Sequence, residues 1–362
     1  MSIYSISNSV EFSLIGDISF NDLISQNYKN NLVRYKEITP ILKNKIVFAN
    51  LETPINSNHE RNKYKSFHLF ADYSVTCELL TLLNIGCVSL ANNHIFDANI
   101  DGVRTTIDLL DKLSIYHSGA GWKIEHTEPV IFTKFGVKIA FFAYVHPSTN
   151  PGTKMFPELY INYLHVDKVL EDIKKIRPAV DKIICSLHWG RDYSNFITPE
   201  QQILARKIID AGADVIMGHH SHMIQPFEYY ERGLIFYGLG GLTFGDFVWH
   251  GEQRALKRKT KLGMIVHLDK QFQINGIIPT RELKGNYIKI SRVDIDTRLK
   301  VLWFINKLKM RSKFVDKIIR LKEYGLDRIF EYFFGYYRNP VKQLFSFSNL
   351  KKLKFIKRDF LK

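Results

Sequence analysis

Short apolar runs alternate with amphipathic stretches through about residue 240, and that alternation predicts a layered α/β fold. The runs VEFSLIG, IVFANLE, GCVSLAN, KIAFFAYV, KIICSLHWG, DVIMGHH and LIFYGLG read as strands. Helices between them have legible ends. Thr198-Pro199-Glu200-Gln201 is a capping box with proline at the first helical position, and Gly212 closes that helix. Asp101 similarly caps a segment carrying Val103, Ile107 and Leu110 on one face. After residue 262, LGMIVHLDKQFQINGIIP alternates as a closing hairpin would. From Thr297 the pattern changes: Val301, Ile305, Leu308, Val315 and Ile319 recur at helical spacing among lysines and arginines. The chain thus divides into a domain of residues 1–285 and a basic helical extension of residues 286–362.

Composition narrows the class. A chain of 362 residues with 45% hydrophobic content can bury a sizeable core. Cys77, Cys87 and Cys185 lie in apolar contexts at no metal-like spacing, so they read as packing residues of a reducing compartment. The N-terminus has neither a basic segment nor an unbroken apolar run, and the longest apolar stretches are interrupted by Lys134 and Lys138 or are glycine-rich and short. The expected location is cytoplasmic, with the tail offering peripheral contact with the inner membrane face.

Charge separates the two parts. The formal net charge is +15, and residues 281–362 hold 22 Lys and Arg against 8 Asp and Glu, leaving the rest nearly neutral. The stretch from Leu299 to Leu321 and the terminal KKLKFIKRDFLK suit either an anionic membrane surface or the solvated face of helices packed on the domain. Nucleic acid is a poor fit, because the charge avoids the candidate pocket and Trp303, Phe304, Phe333 and Phe334 read as helix packing.

In an open α/β sheet, ligands bind beyond the carboxyl ends of the strands. Here those ends carry Asp17, Glu52, Asn92-Asn93-His94, His188, and the histidines of DVIMGHHSHM. Extended backbone alternates its side chains, so His220 and His222 are expected on one side and His219 on the other. Two carboxylates, an amide oxygen and three imidazoles form a donor set for one or two divalent transition ions.

The segments GDI, FANLETP, SLANNHIFD, HSGAG, SLHWG, the TPEQ helix, GHHSHMIQ and LIFYGLGG, in order from Ser13 to Asp246, resemble the CapA-type proteins of poly-γ-glutamate capsule synthesis. That family looks like a branch of the calcineurin-like metallophosphoesterases. The resemblance implies a four-layer αββα sandwich with a metal pocket at one rim. It implies that Glu52 bridges two ions, that Asn93, His188 and His220 complete one site, and that Asp17 and His222 hold the other. His94 would stand by the leaving group with Asp97 hydrogen-bonded to it, and Asn92, Lys65 and His219 would contact an anionic substrate. The ions would be one or two of Mn, Zn or Fe. Three positions depart from the superfamily's or family's pattern: Ser19 replaces a histidine, Glu52 an aspartate and Gly241 an asparagine. The implied function is a metal-dependent phosphoesterase-like hydrolase in capsule or surface-polymer biosynthesis. The alternative is a non-catalytic metal-binding subunit of a capsule synthesis complex.

Overall fold

Alternation along the strands sorts the chain into layers in the computed structural model, which describes residues 11–21, 24, 31–56, 61–65, 67–149, 157–249, 252–254 and 258–320. Strands β1 (Phe12–Ile18), β2 (Ile46–Leu51), β3 (Ile85–Ser89) and β4 (Tyr116–Ser118) run parallel in one half of the first sheet. Its other half is antiparallel: β16 (Leu262–Leu268) pairs with β1, followed by β17 (Ile274–Glu282) and β18 (Ile288–Ile290). The closing hairpin expected from the sequence is therefore β16–β17. A short strand, β13 (Gly241–Thr243), lies parallel to the end of β1.

The second sheet has the order β11 (Phe227–Tyr230), β12 (Gly233–Phe236), β10 (Val215–His219), β9 (Lys182–His188), β7 (Val137–Val145), β6 (Val130–Lys134), with a parallel centre from β12 to β7. Two small ribbons pair β5 (Ala120–Gly121) with β8 (Tyr160–Ile161) and β14 (Phe247–Trp249) with β15 (Glu252–Arg254). The helices are α1 (Asn31–Tyr35), α2 (Thr39–Leu42), α3 (Tyr73–Leu82), α4 (Asn99–Lys112), α5 (Val166–Ile176), α6 (Pro199–Asp210), α7 (Ile295–Arg311) and α8 (Lys313–Arg320).

Each central strand feeds two cores. Along β7, Ile139, Phe141, Ala143 and Val145 join Phe12, Leu14 and Phe48 of the other sheet, whereas Ala140, Phe142 and Tyr144 join Val169 and Ile173 of α5 and Ala205 and Ile208 of α6. On the first sheet, Val47, Ala49 and Leu51 turn outward to Leu79 of α3 and to Val103, Ile107 and Leu110 of α4. Helix, sheet, sheet, helix is the αββα order. The ring centroids of Phe48 and Phe141 are 5.7 Å apart across the central core. Parallel strands buried on both faces explain why their sequences read as unbroken apolar runs.

Helix α6 starts as its sequence predicts: Thr198 Oγ1 accepts the Gln201 N–H at 3.2 Å and Gln201 Oε1 accepts the Thr198 N–H at 3.0 Å. Two local expectations need correction. Helix α4 is capped at Ala98, so Asp101 sits inside the first turn, where its charge faces the positive helix end without being the cap. On α7 the buried face is Ile295, Leu299, Leu302, Asn306 and Lys309, not the Val301–Ile305–Leu308 stripe. Propensity alone could not choose between the two faces; packing on the inter-sheet core through Leu299 and Leu302 did. KKLKFIKRDFLK, Phe333, Phe334 and the chain after residue 320 lie outside the described residues.

Candidate metal centre

The chain needs bare backbone to bring its two sheets together at one rim. Strand β1 shifts register between Leu14 and Asp17, where β13 joins it, and this carries Asp17 inside the strand and not after it as the sequence suggested. A Cβ on Gly16 would lie 1.7 Å from the Gly240 carbonyl oxygen, so only glycine admits that approach. Strand β10 ends at His219, and the next residues leave the extended region: His220 and His222 have φ of 84° and 53°. The expected alternation does not hold here. A left-handed turn, at a cost of about 1–3 kcal/mol for each such residue, is what directs the imidazoles.

The result is convergence of donors from five separate segments. His188 Nε2 lies 2.8 Å from Asn93 Oδ1, 3.1 Å from His220 Nδ1 and 4.0 Å from Glu52 Oε1. Beside this group, His222 Nδ1 lies 3.0 Å from Asp17 Oδ2, and His222 Nε2 lies 3.8 Å from Glu52 Oε1. Donor atoms of Asp17, Glu52 and His222 all fall within 4.8 Å of one another. Glu52 therefore stands between two halves, one rich in nitrogen and the other in carboxylate.

Charge balance tests whether a cation fits. Both oxygens of buried Glu52 and Nε2 of His219 lack hydrogen-bond partners among the described residues. Burial pushes the Glu52 carboxyl well up, aided by the negative charges of Asp17, Asp192 and Asp97 against the opposing pull of His222. Burial also works against ionised Asp17, but bonds and charges from His219 and His222 prevail and hold it well below the usual carboxylate range. Burial and the neighbouring His220 drive His188 well below an ordinary imidazole. Burial likewise lowers His220. Burial also works against protonated His222, but Glu52 and Asp17 prevail and raise it to about 9. Two imidazoles of lowered pKa, and a third drawn to two carboxylates whose proton a cation would replace, are a donor set suited to a divalent transition ion.

The remaining candidates divide. His94 Nδ1 is 2.6 Å from Asp97 Oδ2, and Asp97 also accepts the Leu69 N–H at 2.8 Å. Lys65 ion-pairs with Asp97 and donates to the Asn93 carbonyl, so its charge is already engaged. His94, Lys65 and Asn93 line a cavity of about 310 Å³ with Asp192, Tyr193 and His222. Asn92 and His219 do not line it. Asn92 is fully buried, its side chain accepting the N–H groups of His94 and Ile95 and donating to the Leu51 carbonyl. His219 is buried with Nδ1 3.1 Å from Asp17 Oδ1, a place for steadying Asp17 and not for meeting substrate. Ser19 is engaged elsewhere: its hydroxyl accepts from Thr53 at 2.6 Å and from Asn21 at 3.2 Å.

Two contributors escaped the sequence reading. Asn50 Nδ2 donates to Asp17 Oδ1 at 2.9 Å and lies 3.3 Å from His188 Nδ1, linking the two halves from beneath. An uncompensated amide in the middle of a buried apolar run was the available signal. Asp192 Oδ1 lies 3.4 Å from His220 Nε2, on a loop that the Tyr193 N–H ties to the Ser221 carbonyl at 2.9 Å. Nothing in the sequence around Asp192 distinguishes it from an ordinary loop carboxylate.

Residues 11–246 match the family model described as "Bacterial capsule synthesis protein PGA_cap". The chain is 28% identical over 244 residues to the capsule biosynthesis protein CapA of Bacillus anthracis, a match covering 64% of this chain and 59% of that one. It is 29% identical over 249 residues to the PGA biosynthesis protein CapA of Bacillus subtilis, covering 64% and 62%. It thus spans about three fifths of the length of these relatives. Among solved structures, the 5'-nucleotidase precursor of Thermus thermophilus aligns at 12% identity with a TM-score of 0.41, over 83% of this chain and 59% of that chain.

Proposed function

This chain belongs to the bacterial capsule synthesis protein PGA_cap family, and from that premise we propose that it is a metal-dependent hydrolase of phosphoester-type bonds serving the synthesis of an anionic surface polymer. The observation that carries this reading is the meeting of Asn93, His220 and Glu52 about His188 Nε2, with neither oxygen of the buried Glu52 carboxylate hydrogen-bonded among the described residues. Asn93, His188, His220 and Glu52 would hold one ion, and Asp17, His222 and Glu52 a second. When bound, such an ion supplies Lewis acidity and a water acidified toward neutral pH.

The chain's own residues supply the rest. Asn50 fixes Asp17 and His188 together, and Asp192 faces the His220 nitrogen turned away from the centre, the arrangement that sets tautomer and ring direction in ligating histidines. The Asp97 carboxylate holds His94 at Nδ1, leaving Nε2 as the other ring nitrogen at the cavity. Burial lowers the His94 pKa against the pull of Asp97, so protonated His94 is a stronger acid than a free imidazole and can deliver a proton to a departing oxygen. Phe244 packs edge-on to His222 at 4.6 Å and restricts water on that side.

A second reading has its own observation. Ser19, engaged by Thr53 and Asn21, adds no ligand to the Asp17 half, which favours a centre that binds metal as an accessory subunit without turnover. One experiment separates the two: aryl phosphate hydrolysis by the purified chain with Mn, Zn or Fe, alongside His188→Ala and His94→Ala variants. Hydrolysis abolished by His188→Ala and strongly slowed by His94→Ala supports the enzyme. Metal binding without turnover under any metal, with capsule formation unharmed by His94→Ala, supports the accessory role.

A further inference from the structure

Helix α7 has two apolar faces. Ile295, Leu299 and Leu302 are buried in the inter-sheet core. On the opposite side Val301, Phe304 and Leu308 remain 48%, 62% and 42% exposed, and α8 continues the surface with Phe314 and Ile318 at 73% and 49%. Lys300, Lys307, Arg311, Lys313 and Lys317 are exposed among them. Asp316 is the sole acidic residue in the sequence between Thr297 and Arg320, and it lies 4.0 Å from Lys309 Nζ.

We infer that α7 and α8 form a peripheral docking face for the anionic headgroup layer of a lipid bilayer. Large apolar side chains interleaved with lysines match the two layers such a face must meet, acyl chains below and phosphates above. An apolar protein partner would strand five cations without water or counter-charge. No described helix is long and apolar enough to cross a membrane, so the contact is one of lying on the surface.

The face is rigidly mounted beside the metal centre. Asn306 Oδ1 accepts the Ile197 N–H at 3.2 Å, and Lys309 Nζ donates to the Ile197 carbonyl at 2.9 Å. This fixes α7 to the connection between β9 and α6, the connection that carries Asp192 and Tyr193 to the cavity mouth. Arg191 shares a second cavity with Lys309, Arg311 and Lys313. Docking through α7 and α8 would therefore hold the candidate centre near the bilayer, where a membrane-delivered polymer precursor would arrive. The lipid contact stands apart from the metal reading, and either can fail alone.

The test is co-sedimentation of the full chain with phosphatidylcholine vesicles, with and without phosphatidylglycerol. The expected result is pelleting only with phosphatidylglycerol, reversed by salt. Lys300→Glu with Lys307→Glu should lower the partition coefficient more than tenfold, since each lysine near the surface contributes about fivefold. Phe304→Ser with Phe314→Ser should weaken it comparably, while thermal midpoint and helix content stay at wild-type values because all four residues are exposed. Equal pelleting with both vesicle types, no pelleting with either, or variants that pellet like wild type would overturn the inference; the last would move the contact to residues 321–362.

Discussion

Glu282 offers a test of how the loop over the centre is held. Its buried carboxylate accepts the Phe244 N–H at 3.2 Å and the Gly245 N–H at 2.9 Å, and Phe244 packs on His222. Burial raises its pKa from 4.5 to about 7, with Lys261 and the two backbone bonds opposing and Asp246 adding. Between those values the folded state holds a proton that the unfolded state has lost. The Glu282 contribution to stability must therefore fall as pH rises through that window, at about 1.36 kcal/mol per pH unit, for a total of roughly 3 kcal/mol. Glu282→Gln removes the titration but sets an amide donor against one of the two N–H groups, costing about 1–3 kcal/mol at every pH. The variant should be less stable than wild type near about pH 5 and should equal or exceed it near about pH 8. Urea denaturation of both proteins at several pH values measures this directly, since titrations not coupled to Glu282 cancel in the difference. A variant-to-wild-type gap that stays constant from acid to base would refute the reasoning.

Other expectations follow from close contacts in the fold and at the centre. Gly218→Ala places a Cβ 1.8 Å from the Tyr237 carbonyl oxygen, so β10 and β12 cannot keep their spacing; a loss of about 3 kcal/mol or more, or failure to accumulate soluble protein, should be seen in denaturation and expression assays. Asp97→Asn leaves Lys65 without its counter-charge in a nearly buried place and should cost about 3–5 kcal/mol in thermal or urea unfolding. Adding Lys65→Met should recover part of that loss, and strict additivity would show that the two residues are not coupled. Asp192→Ala should weaken metal affinity by about 10–100-fold in a chelator competition assay, and unchanged affinity would remove it as a partner of His220.

Much of the layering could be read before the structure, because buried parallel strands advertise themselves as apolar runs and α6 carries its own start signal. The donors were legible for the same reason: Asp17, Glu52, Asn93 and His188 each occur where an apolar run gives out. What the sequence conceals is three-dimensional choice. His219, His220 and His222 looked like an alternating strand, yet two left-handed residues turn the backbone and place His219 behind Asp17. Lys65 looked available to a substrate, but Asp97 lies 32 positions away in sequence and next to it in space. Asn92 looked like a pocket residue because its neighbours are, while its side chain is consumed in forming the turn that presents them. On α7 both faces are apolar, and only tertiary packing distinguishes the buried one.

The most direct measurement is anomalous diffraction from crystals of the purified chain, recorded at the Mn, Fe and Zn edges. The account requires a peak coordinated by His188 Nε2, His220 Nδ1, Asn93 Oδ1 and Glu52, and its disappearance in His188→Ala. Crystals grown with saturating metal that show no peak there, or one coordinated by other residues, would contradict it.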